Sequence, residues 1–331
     1  MQSPAVAGPY FDELAVGQEF TGAPGITLTS GLAAAHQAVT GDRLALPLDH
    51  ELCRDVTGTG PLASPGLVWD LAIGQSTVAT QRVKANLFYR GLAFRRAPLL
   101  GDTLRTVTRV VALRQNRPRE GRPATGLAVL RITTADQDAR PVLDFWRCAM
   151  LPLRDQRGET GHADDLESAG DAADPDRLAA LVTGWRLDRF AARTAGPRFA
   201  DLQAGQSFEV AGGDVVSAAP ELARLTLNVA MVHHDAVAAG GQRLVYGGHA
   251  IGLALAQAAR ALPSIVTVAG WHGCDHLGPV HEGDTLRSVI SVERTEAVPG
   301  EGGLVHLRSE VSADGPDPRR VLLWRFIAVV A

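Results

Sequence analysis

Phe11–Phe20 reads FDELAVGQEF and Phe199–Phe208 reads FADLQAGQSF, with Phe, Leu, Gly, Gln and the closing Phe in register. A repeat of such long period fixes architecture before any local pattern does. Two more landmarks recur in the same order. Pro98–Leu104 (PLLGDTL) is echoed by Pro279–Leu286 (PVHEGDTL), and Val142–Arg147 (VLDFWR) by Val321–Arg325 (VLLWR). The chain therefore reads as a duplication: an N-terminal domain over 1–155, a linker with a connecting helix over 156–196, and a C-terminal domain over 197–331. Arg154–Asp176, rich in Asp, Glu, Gly and Ala, has the composition of a solvated linker. Asp174–Arg193, with an Asp before Pro and apolar residues at helical spacing, predicts one connecting helix.

Each half repeats one order of elements. A helical stretch (Ser30–Thr40; Ala218–Asn228) leads through a polar segment to an apolar helix opening on small residues, Ser64-Pro65-Gly66 in the first half and Gly247-Gly248 in the second. The second of these helices, GGHAIGLALAQAARAL, is apolar on nearly every face, so it should be wrapped by protein. After each GDTL come three alternating runs: Thr103–Leu113, Gly126–Thr134 and Arg140–Leu151, then Thr285–Arg294, Leu304–Asp314 and Arg319–Val330. A buried helix followed by long antiparallel strands makes each half an α+β sheet curled around a helix.

The whole chain has 331 residues, 46% hydrophobic and 21% charged, enough for two packed cores. A net charge of -4 disfavours nucleic acid and membrane surfaces as partners. Met1–Pro9 has no basic charge or long apolar core, and Ile251–Leu262 is interrupted by Gln257 and Arg260, so neither a signal peptide nor a membrane span is expected. Cys53, Cys148 and Cys274 form no CxxC pair, which fits a reducing, cytoplasmic setting. Lys84 is the only lysine, and a Schiff-base role finds no partner for it.

The candidate chemistry lies mostly in the second half. Asn228–Asp235 (NVAMVHHD) places Asn228, His233 and Asp235 together, and a histidine beside a carboxylate suits proton transfer; from spacing alone, a solvated turn is the plainer reading of His233 and His234. Gly247 and Gly248 open the buried helix, where free N–H groups can hold an oxyanion; tight turning alone is the plainer explanation of the glycines. His272, Cys274, Asp275 and His276 (HGCDH) have the residue types of zinc ligands, but the strand-like flanks space them too widely, and the repeat puts Asn86–Arg90 (NLFYR) opposite them. No metal is expected, and His276 is assigned to a pocket instead. Gly58, Gly60 and Ala63 match GxGxxA, but Pro61 follows at once and no strand precedes, and neither a P-loop nor GxSxG occurs, which takes most of the weight from NAD, ATP and serine-hydrolase readings. The arginines of Arg90–Arg96 (RGLAFRR) suit a phosphorylated ligand such as coenzyme A as well as a solvated edge.

The repeated VGQxF opening, buried helix and PxxxGDTL turn, with NVAMVHHD (Asn228–Asp235), LVYGGHAIGLA (Leu244–Ala254), RLAL (Arg43–Leu46) and PVLDFWR (Pro141–Arg147), resemble the MaoC-like dehydratases over almost the whole chain, in particular their double hot-dog members. The resemblance implies tandem hot-dog domains. It puts His233 on the family's signature histidine and Asp235 on the acid that follows, with Asn228 where an Asp is usual; Asp42 holds that position in the first half, but Pro47 replaces the histidine. One working site, in the second half, follows. His233 would act alone as acid and base, with Asn228 orienting water or substrate. The resemblance further implies reversible hydration of an enoyl-CoA thioester, with mesaconyl-CoA and methylmalyl-CoA as the favoured pair. A straight-chain (R)-3-hydroxyacyl substrate, a hot-dog thioesterase and a non-catalytic acyl-CoA binding protein are the alternatives. Gly248, with Gly247, would hold the thioester oxygen. Arg243, His249, His276, Arg90, Arg95 and Arg96 would bind substrate, Arg243 taking a free carboxylate. No cofactor beyond the coenzyme A of the substrate is expected, and the protein would be a monomer or homodimer.

Overall fold

The computed structural model describes residues 7–170, 175–298 and 302–331. The short strands β1 (Glu19–Phe20) and β2 (Ile26–Thr27) precede helices α1 (Ser30–Thr40), α2 (Ala45–Leu48), α3 (His50–Thr57) and α4 (Pro65–Ser76). Strands β3 (Ala85–Phe94), β4 (Thr103–Gln115), β5 (Thr125–Ala135) and β6 (Pro141–Pro152) complete the first half. After α5 (Pro175–Ala179) and α6 (Leu187–Arg193), the second half repeats the plan. It has β7 (Ser207–Glu209), β8 (Asp214–Val215), α7 (Ala219–Leu225), α8 (Gly247–Ala261), β9 (Ile265–His276), β10 (Thr285–Ala297), β11 (Gly303–Ala313) and β12 (Arg319–Val330).

The main sheet runs β1-β4-β5-β6-β3-β9-β12-β11-β10-β7, so the two halves join through β3 and β9, paired antiparallel at the centre. Sequence alternation does not single out β3, whose run ANLFYRGLAF is interrupted by Arg90 and Gly91. The fold is α+β, a tandem hot-dog: each half wraps its sheet about a helix. All twelve residues of α4 are buried, as are Gly248–Ala259 of α8. Ser64 caps α4 by accepting the Gly66 N–H, and Pro65 needs no hydrogen-bond partner at the first helical position. Glycine lets the helices pack closely. A methyl on Gly74 would run into the Thr226 carbonyl, and one on Gly252 would come within 2.8 Å of the Thr40 side chain. Among the described residues, no helix is long and apolar enough to cross a membrane.

The ladders show how the repeats superpose. In the first half Val110, Leu130, Arg147 and Tyr89 stand in one row across the sheet; in the second, Val292, Leu307, Phe326 and Trp271 do, with a register shift just after both Val110 and Val292. This corrects the sequence alignment of the third landmark. Arg147 matches Phe326, not Arg325, and since side chains alternate along a strand, a slip of one residue puts the two arginines on opposite faces. Arg325 points outward to Glu293 at 2.8 Å. Likewise Tyr89 matches Trp271, so NLFYR stands opposite residues 268–272 rather than His272–His276.

The segment between the halves is mostly exposed but is anchored to the first half. Its polypeptide lies along β4, with Ala163 bridging to Arg114, and Leu166 is buried among Phe88, Val129, Trp146 and Cys148. The expected single connecting helix is broken into α5, a 3-10 turn over Ala180–Val182, and α6. Gly184 takes φ +80° in the break, and Asp174, its expected first residue, lies outside the described residues.

Candidate active site

A cavity of about 300 Å³ opens where the second half's polar segment and the mouth of α8 meet the end of α4 and the start of β3. Its walls include Asn228, His233, Tyr246, Gly247 and His276 from the second half, and Ile73, Thr77, Lys84, Asn86, Tyr89 and Arg147 from the first. Both halves build it. The Val229 N–H donates to Thr77 Oγ1 at 2.9 Å and the Met231 N–H to the Gln81 carbonyl at 2.9 Å, tying the segment that carries His233 to the end of α4.

Local backbone sets each polar group. Leu227 adopts a left-handed conformation (φ +59°), ending α7 and turning the chain so that Asn228 is buried at the cavity wall. Asn228 Oδ1 accepts the Ala230 N–H at 2.9 Å, which leaves its amide NH₂ as the group it offers a ligand. His233 Nδ1 stands 2.9 Å from the Leu244 carbonyl oxygen. A carbonyl only accepts, so Nδ1 carries the proton and Nε2 keeps its lone pair. Burial, with the nearby His234 and Arg147 charges adding to it and the Leu244 hydrogen bond opposing it, lowers the imidazole to about 4. At neutral pH His233 is an unprotonated base.

His276 meets the Tyr89 ring edge-on at 5.7 Å and is likewise lowered to about 4 by burial; its Nε2 has no partner. Gly247 is needed beneath it, since a β-carbon there would come within 2.6 Å of the His276 ring. No side chain caps α8. Its first turn thus presents unpaired N–H groups and the positive end of the helix dipole.

The structure separates the remaining predicted residues from this cavity. Asp235 is exposed and its Oδ1 accepts the Val237 N–H at 2.8 Å, capping a turn, so it is not the carboxylate partner expected for His233. Gly248 turns its α-carbon to the Asp70 carboxylate and Tyr246 ring, where no β-carbon fits, while Gly247 is the residue on the cavity wall. Arg243 is exposed and paired with Glu282 at 3.4 Å beside an outer recess that His233 also borders. His249 is fully buried in the core; both ring nitrogens lack partners, and burial, with His36 nearby, lowers it to about 4. Close by, His36 Nε2 meets Asp70 Oδ2 at 2.9 Å, a buried pair between α1 and α4. The RGLAFRR arginines are spent on carboxylates: Arg90 on Glu167 at 3.1 Å, Arg95 on Asp144 at 3.7 Å, and Arg96 on Asp102 at 2.8 Å and on Asp136. His272 pairs with His306 at 2.7 Å and does not line the cavity that His276 lines; no group of three or more potential metal ligands occurs among the described residues.

The equivalent hollow in the first half is closed. Pro47, Leu62, Ala63 and Pro65 line it with Val266–Val268 from β9, the counterparts of Lys84–Asn86, and only about 10 Å³ remains, with Leu181 of the connecting segment among the walls. Asp42 there accepts the Leu44 N–H at 3.0 Å and the Ser64 hydroxyl.

Two cavity residues carry no signal of their own in the sequence. Arg147 stands there only as the end of a landmark, and Tyr246 as the neighbour of two glycines. Tyr246 is buried, donates its hydroxyl to the Asp70 carbonyl at 3.0 Å, and packs 5.8 Å from His233, joining the site to α4.

Similarity to known proteins accords with this geometry. A solved structure of a conserved hypothetical protein from Mycobacterium tuberculosis, described as having a double hotdog fold, is 54% identical. It has a TM-score of 0.91 and the match covers 97% of this chain and 98% of that one. The chain belongs with that protein to a double hot-dog family. No family model matches it. Mesaconyl-CoA hydratase of Cereibacter sphaeroides is 27% identical over 94% of this chain and 91% of its own. Beta-methylmalyl-CoA dehydratase of Chloroflexus aurantiacus is 26% identical over 93% and 89%.

Proposed function

We propose that the protein is a hydro-lyase that reversibly adds water to an enoyl thioester of coenzyme A, with mesaconyl-CoA and methylmalyl-CoA as the favoured pair. The observation that carries this reading is a neutral imidazole, proton fixed on Nδ1, in one cavity with the uncapped mouth of α8. Two relatives named for that substrate pair, similar along nearly their whole length, support it.

The chemistry needs a base for water, a site for negative charge and a proton for the α-carbon. His233 Nε2 takes a proton from water held by the Asn228 amide, and the oxygen bonds to the β-carbon. The alkene π electrons move to the α-carbon and thioester, where charge on the oxygen is held by N–H groups of the first turn of α8. The imidazolium then returns its proton to the α-carbon, which restores neutral His233 and balances the reaction. A single group handling both transfers delivers proton and hydroxyl to one face of the alkene. Lys84, the sole lysine and an exposed residue of the cavity lining, would meet the phosphates of the coenzyme.

The test is the absorbance of the conjugated thioester. Purified protein with mesaconyl-CoA should bleach it without releasing free thiol. Thiol release would indicate a thioesterase, and unchanged absorbance across branched and straight-chain enoyl-CoAs would leave a binding protein.

A further inference from the structure

Arg147 projects from β6 into the same cavity and is 3% exposed. Its Nη2 donates to the Ser76 carbonyl at 3.3 Å and to Thr80 Oγ1, while Nε has no partner. Among the described residues no carboxylate pairs with it. The Tyr89 phenol is a further hydrogen-bonding neighbour of the guanidinium; Tyr89, Tyr246 and the Cys148 thiol are all pushed upward by burial, so they are neutral at physiological pH and none supplies a counter-charge. The other arginines singled out in the sequence each meet an acid; this one, the most deeply buried of them, does not.

A desolvated guanidinium without a counter-charge is costly, and a ligand that brings one is favoured accordingly. Position decides which anion. Ile73, Thr77 and Tyr89, beside Arg147, are buried, whereas Lys84 and Leu277 at the other end are exposed. A cavity of about 300 Å³ suits the acyl group better than the bulky nucleotide of coenzyme A, so the acyl group is the part of the ligand that would meet Arg147. The duplication supplies a contrast: the equivalent position of the second half is Phe326, an apolar residue stacked on Trp324 at 3.8 Å.

We propose that Arg147 is the specificity-determining residue of this cavity, pairing with a free carboxylate at the far end of the acyl chain, so that short dicarboxylic acyl thioesters are its substrate class. The proposal rests on the hydration site described above, but its test does not need turnover. Methylsuccinyl-CoA, saturated and carrying the carboxylate, and butyryl-CoA, which lacks it, are titrated by calorimetry into the wild type, Arg147→Phe and Arg147→Lys.

The wild type should bind methylsuccinyl-CoA about 100-fold more tightly than butyryl-CoA, the scale of a buried charge-assisted pair. Arg147→Phe, which installs the side chain the second half already accommodates, should erase that preference while leaving butyryl-CoA affinity within a few fold. Arg147→Lys should keep part of it. The proposal is overturned if Arg147→Phe, with an unchanged circular dichroism spectrum, keeps the preference, or if it weakens both ligands equally. Failure of the wild type to hydrate mesaconyl-CoA while showing Arg147-dependent binding would count against the hydro-lyase reading alone.

Discussion

Replacing His233 by alanine is expected to lower kcat for hydration by about 10²- to 10⁴-fold, the usual contribution of a positioned general base. The loss should fall on kcat more than on KM, because Asn228, Gly247 and Arg147 still line the cavity. Asp235→Asn should stay near wild-type rate, since the exposed Asp235 carboxylate only caps a turn. The pH profile carries a second mark of the same residue. With His233 lowered to about 4, its base form persists well into acid, so kcat/KM should stay flat from pH 8 down to about 5. A histidine in water would lose its base form near 6.5. Rates measured by thioester absorbance decide both points. Full activity in His233→Ala would move the base elsewhere, and the unpartnered Nε2 of His276 would be the next group to test.

Stability should drop as pH falls from about 6.5 to about 4, earlier than carboxylate protonation alone would cause. His233, His249 and His276 are each lowered by burial to about 4 in the folded protein. Unfolded, each takes a proton near 6.5. The unfolded chain therefore binds more protons throughout that window. The stabilisation is complete above it and lost as pH falls through it, on the order of 3 kcal/mol for each imidazole. Urea midpoints at pH 7, 5.5 and 4.5 read the effect. The wild type should weaken steeply over this series, and His249→Leu, which removes a buried imidazole without partners, should weaken less. Midpoints that do not move between pH 7 and 5.5 would contradict the burial assigned to these side chains.

The duplication is legible because loop landmarks such as GDTL keep their residues when turns keep their geometry, and because α8 is apolar on nearly every face and α4 opens on small residues in the same place. Six long strands and both buried helices are readable from period alone. What the sequence conceals is facing and contact across the halves. VLDFWR and VLLWR match as letters, yet a one-residue slip in pairing turns Arg147 inward and Arg325 outward, and strand period makes that slip decisive. Grouping His233 with Asp235 assumes that neighbours in sequence face one pocket. The 3-10 turn over Met231–His233 instead sends the imidazole in and the carboxylate out. Gly248 looks like an oxyanion donor because glycine at a helix mouth suggests one. Its lack of a side chain is explained by Asp70 of the other half, a contact no local pattern encodes. The linker's acidic composition does mark a mostly exposed stretch, but Leu166 and Leu181 within or beside it fill hollows of the folded halves.

The most direct measurement is a crystal structure with methylsuccinyl-CoA bound. The thioester carbonyl oxygen should lie about 3 Å from an amide of the first turn of α8. His233 Nε2 should face the α- and β-carbons, and the nucleotide should lie outside the rim near Lys84. A thioester seated instead in the closed hollow beside Pro47, or in the outer recess by Arg243 with His233 remote from the acyl carbons, would contradict the account.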